Sequence, residues 1–183
     1  KIDPVRFISN FSTGRQGYEI ANSLAAFGAK TILISGPTNI EAAKNVEVIE
    51  VISGKDFLQH SIDNLPCDIF ISVAAISDWR IKKTQKNKIK KNNIRDIEFI
   101  LNDDVLKNIS SHKKKPKLVI GFSAETKNLL KNTKKKLIEK GCDWILANEV
   151  TDDNAFLSDK NKIYFFDQKK VHEWSKMRKR MVA

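Results

Sequence analysis

Cysteine is scarce in this 183-residue chain. Cys67 and Cys142 each precede an aspartate, with no CxxC spacing and no adjacent histidine, which argues against a disulfide framework or a zinc site and predicts buried, reduced thiols. His60, His112 and His172 are the only histidines. No two of them stand at metal-ligand spacing, and neither a cysteine nor a serine has a partnered histidine. No apolar run approaches the roughly 20 residues of a membrane span, and no signal peptide opens the sequence, so the expected compartment is the cytoplasm, with no membrane partner. Internal repeats and zinc-finger, RRM or KH patterns are missing too. Acidic residues are short: 22 against 33 lysines and arginines give a formal charge of +11. That excess is consistent with a polynucleotide or with small phosphorylated ligands. Because the lysines are scattered through nearly every predicted loop, the expectation is no nucleic acid.

What is present is a regular alternation of short apolar runs with amphipathic segments, in a chain 41% apolar. This pattern predicts one α/β domain over 1–183, with a Rossmann-like, mostly parallel sheet and helices on both faces. Strands are expected over 31–35, 46–51, 68–74, 118–123 and 144–147, and helices over 16–27, 55–64, 104–110 and 127–140. Segments 162–166 and 169–173 read as a C-terminal antiparallel hairpin, and 174–182 as a basic helix.

The run Asn10-Phe11-Ser12-Thr13-Gly14-Arg15-Gln16-Gly17 opens the first helical pattern. Ser12, Gly14 and Gly17 form a candidate phosphate turn, since glycine lets backbone approach a ligand and a helix N-terminus favours an anion. Ordinary turn chemistry is the alternative. Such turns follow a central strand, yet none precedes Asp3, so a first strand is expected to be missing. Asp78, just past a predicted central strand, suits a magnesium ion or a ribose hydroxyl, or else a turn cap. Phe122 suits a base or the core. Lys136 and Lys140, four apart on one helix face, aim at a common point or simply face solvent. Residues 81–93, rich in lysine and poor in apolar side chains, read as a charged flap.

In order, several segments carry a resemblance. They are Asp3-Pro4-Val5-Arg6-Phe7-Ile8-Ser9-Asn10 with Ser12 to Gly17, Ser35-Gly36-Pro37, Ala74-Ala75-Ile76-Ser77-Asp78-Trp79-Arg80, Lys88-Ile89-Lys90-Lys91, Gly121-Phe122-Ser123-Ala124-Glu125-Thr126, Ala147-Asn148-Glu149 and Phe156 to Asn161. Together the chain resembles the CTP-dependent phosphopantothenate–cysteine ligase family of bacterial coenzyme A synthesis, often the C-terminal half of a bifunctional decarboxylase/ligase. The resemblance implies ligation of 4′-phosphopantothenate to L-cysteine through an acyl-cytidylate, with Mg2+ on the triphosphate. By the same matching, Asn10 and Lys88 are catalytic. Ser72, Val73, Ala74, Asp78, Lys88, Asp103, Asp104, Val105, Leu106, Phe122, Lys136 and Lys140 bind CTP, and Asp78 also meets the metal. FMN is implied only if a decarboxylase domain is fused upstream. A homodimer is implied, joined near 98–101 and the flap, or a larger assembly in a fused protein. Thr13 replaces a usual serine, and Asp103 a usual proline. A short-chain NAD(P)-dependent oxidoreductase, the rival enzyme, would need a lysine four residues after a tyrosine. Tyr18 is followed there by Asn22, and Tyr164 by Gln168.

Overall fold

The computed structural model describes residues 1–90, 97–150 and 159–183. The end of the flap, with Lys91, and Phe156 of the last motif lie outside the described residues. The first elements are α1 (Arg15–Ala26), β1 (Thr31–Ser35), β2 (Val46–Glu50), α2 (Gly54–Asp63) and β3 (Ile69–Ser72). A short arm follows, β4 (Trp79–Ile81) and β5 (Phe99–Leu101), then α3 (Val105–Ser110), β6 (Leu118–Glu125), α4 (Leu129–Lys140) and β7 (Trp144–Glu149). The chain closes with β8 (Lys160–Asn161), β9 (Ile163–Phe166), β10 (Val171–Glu173), β11 (Met177–Arg178) and α5 (Lys179–Val182).

The main sheet has the order β10-β9-β7-β6-β3. β3, β6 and β7 are parallel, and β9 and β10 add the antiparallel hairpin expected from sequence. Helices cover both faces because residues alternate sides along each strand. Val119, Ile145 and Ala147 pack under Leu129 and Leu137 of α4, whereas Ile120, Leu146 and Ile163 pack against Val182 of α5. In the same way Ala21 and Ala25 of α1 meet Leu33 and Val46, while Phe57 of α2 meets Ile34 and Ile49. Local signals set the helix starts. The Ser53 hydroxyl accepts from the Asp56 N–H at 3.2 Å and donates to its carboxylate at 2.7 Å, a reciprocal N-terminal box.

The tail differs from the expectation of one basic helix over 174–182. Trp174 packs on Phe165, Met177 and Arg178 pair with β8, and only the last turn is helical. Aromatic burial and a strand partner outweigh helix propensity there. Cys142 is buried and Cys67 half-buried, both without a disulfide; burial pushes the Cys142 thiol up to about 11.

β1 pairs with β2 in a separate parallel sheet, and β3 pairs with β6, so among the described residues β1 and β3 each keep one strand edge unpaired. Both edges line the same open cleft, of about 1430 Å3, together with Gly17, Ile20 and Leu24 of α1.

Candidate functional site

The cleft runs along β1 and β3 from Lys30 and Asp68 at their amino ends to the carboxyl ends of the parallel strands, where open α/β sheets bind ligands. Val73 and Ala74 follow β3, Phe122 to Ala124 end β6, and Asn148 lies near the end of β7. Asn10, Ser12, Thr13, Gly14 and Gly17 enter from the N-terminal segment, and Asp103 from the loop before α3. These residues come from widely separated stretches of sequence, and only the fold assembles them.

At the turn, Gly14 adopts φ 75°, a left-handed backbone that glycine takes without steric cost. Its N–H donates to the Ser12 hydroxyl at 3.3 Å, and the Arg15 N–H to that of Thr13 at 3.4 Å. The N-cap Gly14 has no side chain to cap α1, and Arg15, Gln16 and Gly17 of the first turn line the cleft. Gly17, in contrast, is already inside the helix, with open space at its missing side chain. Its contribution is clearance rather than an unusual backbone.

Gly121 plays a packing part. A β-carbon there would stand 2.6 Å from Leu106 Cδ2 and 3.3 Å from Ile145 Cγ1, so glycine lets α3 lie close on β6. This brings the strip Asp104, Val105 and Leu106 beside the sheet. Val105 is buried and Leu106 half-buried, so their side chains belong to the core and only backbone is left for a ligand. The Asp104 carboxylate is also committed: it caps α3 by accepting from the Lys107 N–H at 3.0 Å and pairs with Lys140.

Lys136 and Lys140 do not converge on one point, as their spacing suggested. Each has its own carboxylate on a different element: Lys140 pairs with Asp104, and Lys136 Nζ lies 2.7 Å from Glu125 Oε1 and 3.2 Å from Ser123 Oγ. Glu125 is buried and also accepts from Ser123 Oγ (2.8 Å) and Asn132 Nδ2 (3.1 Å). Burial raises its pKa, but the hydrogen bonds from Lys136, Ser123 and Asn132 outweigh this and hold it below the usual glutamate value. Ser123 lines the cleft, whereas Lys136, whose side chain is half-exposed, reaches it only through its contact with Ser123. Sequence reading missed the seat formed by Ser123, Glu125 and Asn132. The Ser-x-Glu alternation at the end of β6 was its only signal.

Phe122 is half-buried against the α5-side core and also lines the cleft. Ser72 is half-buried at the end of β3 and pairs with Gly121. Asp78 is exposed where β4 begins, and its carbonyl accepts from the Asn102 N–H at 2.8 Å. Among the described residues no three acidic, histidine or cysteine side chains form a metal cluster. Lys88 is exposed on the flap and does not line the cleft, although Lys82 and Thr84 of the same segment do. No helix among the described residues is long and apolar enough to cross a membrane.

The fold and the cleft define an α/β domain in which a glycine turn borders a cleft between strands. The chain belongs to the family described as the DNA/pantothenate metabolism flavoprotein C-terminal domain, whose model matches residues 1–183. The coenzyme A biosynthesis bifunctional protein CoaBC of Haemophilus influenzae is 39% identical over 167 residues, 90% of this chain and 42% of that protein. Its counterpart in Borreliella burgdorferi is 36% identical over 186 residues, covering all of this chain and 47% of that protein. The chain thus spans less than half the length of these relatives. A crystal structure of the C-terminal domain of CoaBC superposes with a TM-score of 0.83 at 35% identity, covering 100% of this chain and 83% of that one.

Proposed function

We propose that this domain is a CTP-dependent phosphopantothenate–cysteine ligase of coenzyme A biosynthesis. The observation that carries the reading is that Asn10, the Ser12 and Gly14 turn, Val73, Ala74, Asp103 and Phe122 all line one cleft. In the first step a carboxylate oxygen of 4′-phosphopantothenate attacks the α-phosphorus of CTP. The bond to the β-phosphate breaks and pyrophosphate leaves. In the second, the amine of L-cysteine attacks the acyl carbon, the bond to CMP breaks, the nitrogen loses a proton and an amide remains. Little covalent chemistry falls to the protein, so positioning and charge dominate. Phe122 would stack on the base. Ser72, Val73, Ala74 and the backbone of Asp103 to Leu106 would hold the nucleotide, and Lys88, Lys136 and Lys140 its phosphates.

Asp78, exposed between Ser77 and Trp79 of the cleft lining, would offer a single carboxylate to Mg2+, an ion commonly held by one or two carboxylates plus substrate phosphates. When bound, Mg2+ would offset charge on the triphosphate. FMN chemistry would fall to a decarboxylase domain fused upstream. Working on these metabolites, the domain would act in the cytoplasm.

The reading extends to architecture. The unpaired edges of β1 and β3, which line one cleft, would accept a further parallel strand supplied by residues ahead of Lys1. A homodimer would use the β4–β5 arm, where Trp79 (60%), Phe99 (51%) and Leu101 (72%) expose large apolar side chains. Protein extended upstream should sediment as two copies and melt at least about 5 °C above the 183-residue chain, a shift equivalent to roughly 1–2 kcal/mol. A single-copy mass would remove the dimer, and an unchanged melting temperature would remove the strand.

The central test is pyrophosphate release from CTP or ATP with 4′-phosphopantothenate and Mg2+, followed by addition of cysteine. CTP-dependent release, with amide formed only after cysteine, is the expected result. Folded, upstream-extended protein that releases no pyrophosphate from either nucleotide would overturn the assignment.

A further inference from the structure

Residues 4–11 are exposed, yet Asp3, immediately ahead of them, is only 1% accessible. Local chemistry explains half of this. Asp followed by Pro4 favours a turn, and Asp3 Oδ1 accepts from the N–H groups of Val5 and Arg6, each at 2.9 Å. The other oxygen does something a turn does not require. Oδ2 accepts from the Arg6 guanidinium, through Nε at 3.0 Å and through Nη2, and from the N–H of Ile89 at 3.2 Å, 86 residues away. Arg6 Nη2 also donates to the Ile89 carbonyl at 3.0 Å. Both backbone polar groups of Ile89, the neighbour of Lys88, are thereby held by one ion pair. The far end of the same segment is tied down too, with the Gln85 N–H donating to the Ile2 carbonyl (2.9 Å) and the Thr84 hydroxyl to that of Lys1 (3.2 Å).

We propose that the Asp3–Arg6 pair is the anchor of the flap, a positioning device that fixes Lys88 relative to the Asn10 segment. Asp3 touches no reacting atom; it acts through Ile89 on Lys88. The inference rests on the ligase reading for what Lys88 does, but not for the anchor itself. A lysine ammonium on a four-carbon stem loses most of its worth if its backbone wanders, and misplacement by about 1 Å can cost roughly 100-fold in rate. The arginine fork suits this task because it grips the carboxylate and a carbonyl together. The Arg6 guanidinium also holds the Asp3 carboxyl far below the usual carboxylate range. A lowered carboxylate pKa means the anchor is complete above about pH 4 and is lost only as pH falls through the lowered folded value. It therefore does not titrate at working pH.

Asp3→Asn keeps the turn-forming oxygen and removes the anion; Arg6→Lys keeps the charge and removes the fork. Both should speed amide hydrogen exchange across residues 84–90 by at least roughly 10-fold, with exchange in β6 and β7 unchanged. Both should also slow CTP-dependent pyrophosphate release by roughly 10- to 100-fold, with KM for CTP within about threefold. In a Lys88→Gln background Asp3→Asn should add little further loss, as expected if Asp3 acts through Lys88. Unchanged exchange at 84–90 in both variants would overturn the anchor. Full additivity with Lys88→Gln would overturn its action through the lysine. If the parent protein turns over no CTP, the ligase reading fails, while the exchange result still decides the anchor.

Discussion

Asn10→Ala should leave CTP-dependent pyrophosphate release within about threefold of the parent protein and slow amide formation by roughly 100- to 1000-fold, the usual cost of removing one oxyanion donor. Asn10 is exposed at the edge of the cleft, in the segment that leads through Ser12 to the Gly14 turn. A carboxamide N–H can donate to the acyl oxygen, whose negative charge develops only when the cysteine amine attacks. The first step breaks a bond at phosphorus and places no such charge on that oxygen. The variant should therefore accumulate acyl-cytidylate, visible by rapid quench and mass spectrometry. Equal loss in both half-reactions would make Asn10 a binding residue instead and defeat the assigned role.

The second large effect is expected at Lys136. Lys136→Gln should raise KM for CTP by roughly 10-fold or more, consistent with loss of a charge-assisted contact to a phosphate. It should also weaken the fold, because Glu125 would remain buried without its cation. One-sided breakage of a fully buried pair costs about 3–5 kcal/mol, but the Lys136 side chain is 43% exposed, so solvent screening reduces the expectation to about 1–2 kcal/mol. The pH dependence has a definite sign. The native pKa of Glu125 is lowered, so its contribution to stability is present above the unfolded glutamate value and is lost as pH falls through the lowered native one. Lys136→Gln removes part of that contribution and should move acid unfolding to higher pH. Glu125→Gln separates the two effects: it keeps the lysine charge and frees it from its seat. An unchanged KM for CTP in Lys136→Gln would remove Lys136 from the nucleotide site, whatever happens to stability.

Much of the frame is legible in the chain itself. The runs 31–35, 118–123 and 144–147 are β-rich and apolar, and each became a parallel strand because both faces of such a sheet are buried. The hairpin and the four longer helices likewise follow from period and turn chemistry, to within a residue or two at most ends. The tail could not be read this way. Its basic residues have acceptable helix propensity, but Trp174 and Met177 found aromatic and strand partners that no local pattern announces.

The sequence by itself determined the alternation of strands and helices, the glycine turn and the inventory of lysine, asparagine and carboxylate chemistry, because these depend on neighbours within a few residues. Only the tertiary structure decided which charges meet. Lys136 and Lys140, equivalent by spacing, are divided between Glu125 and Asp104 by the geometry of α4 against β6 and α3. Asp3 is joined to Ile89 across 86 positions, and the edges of β1 and β3 share a single cleft. Such pairings are set by packing and by the desolvation of buried charge, which act through space and leave no period along the chain.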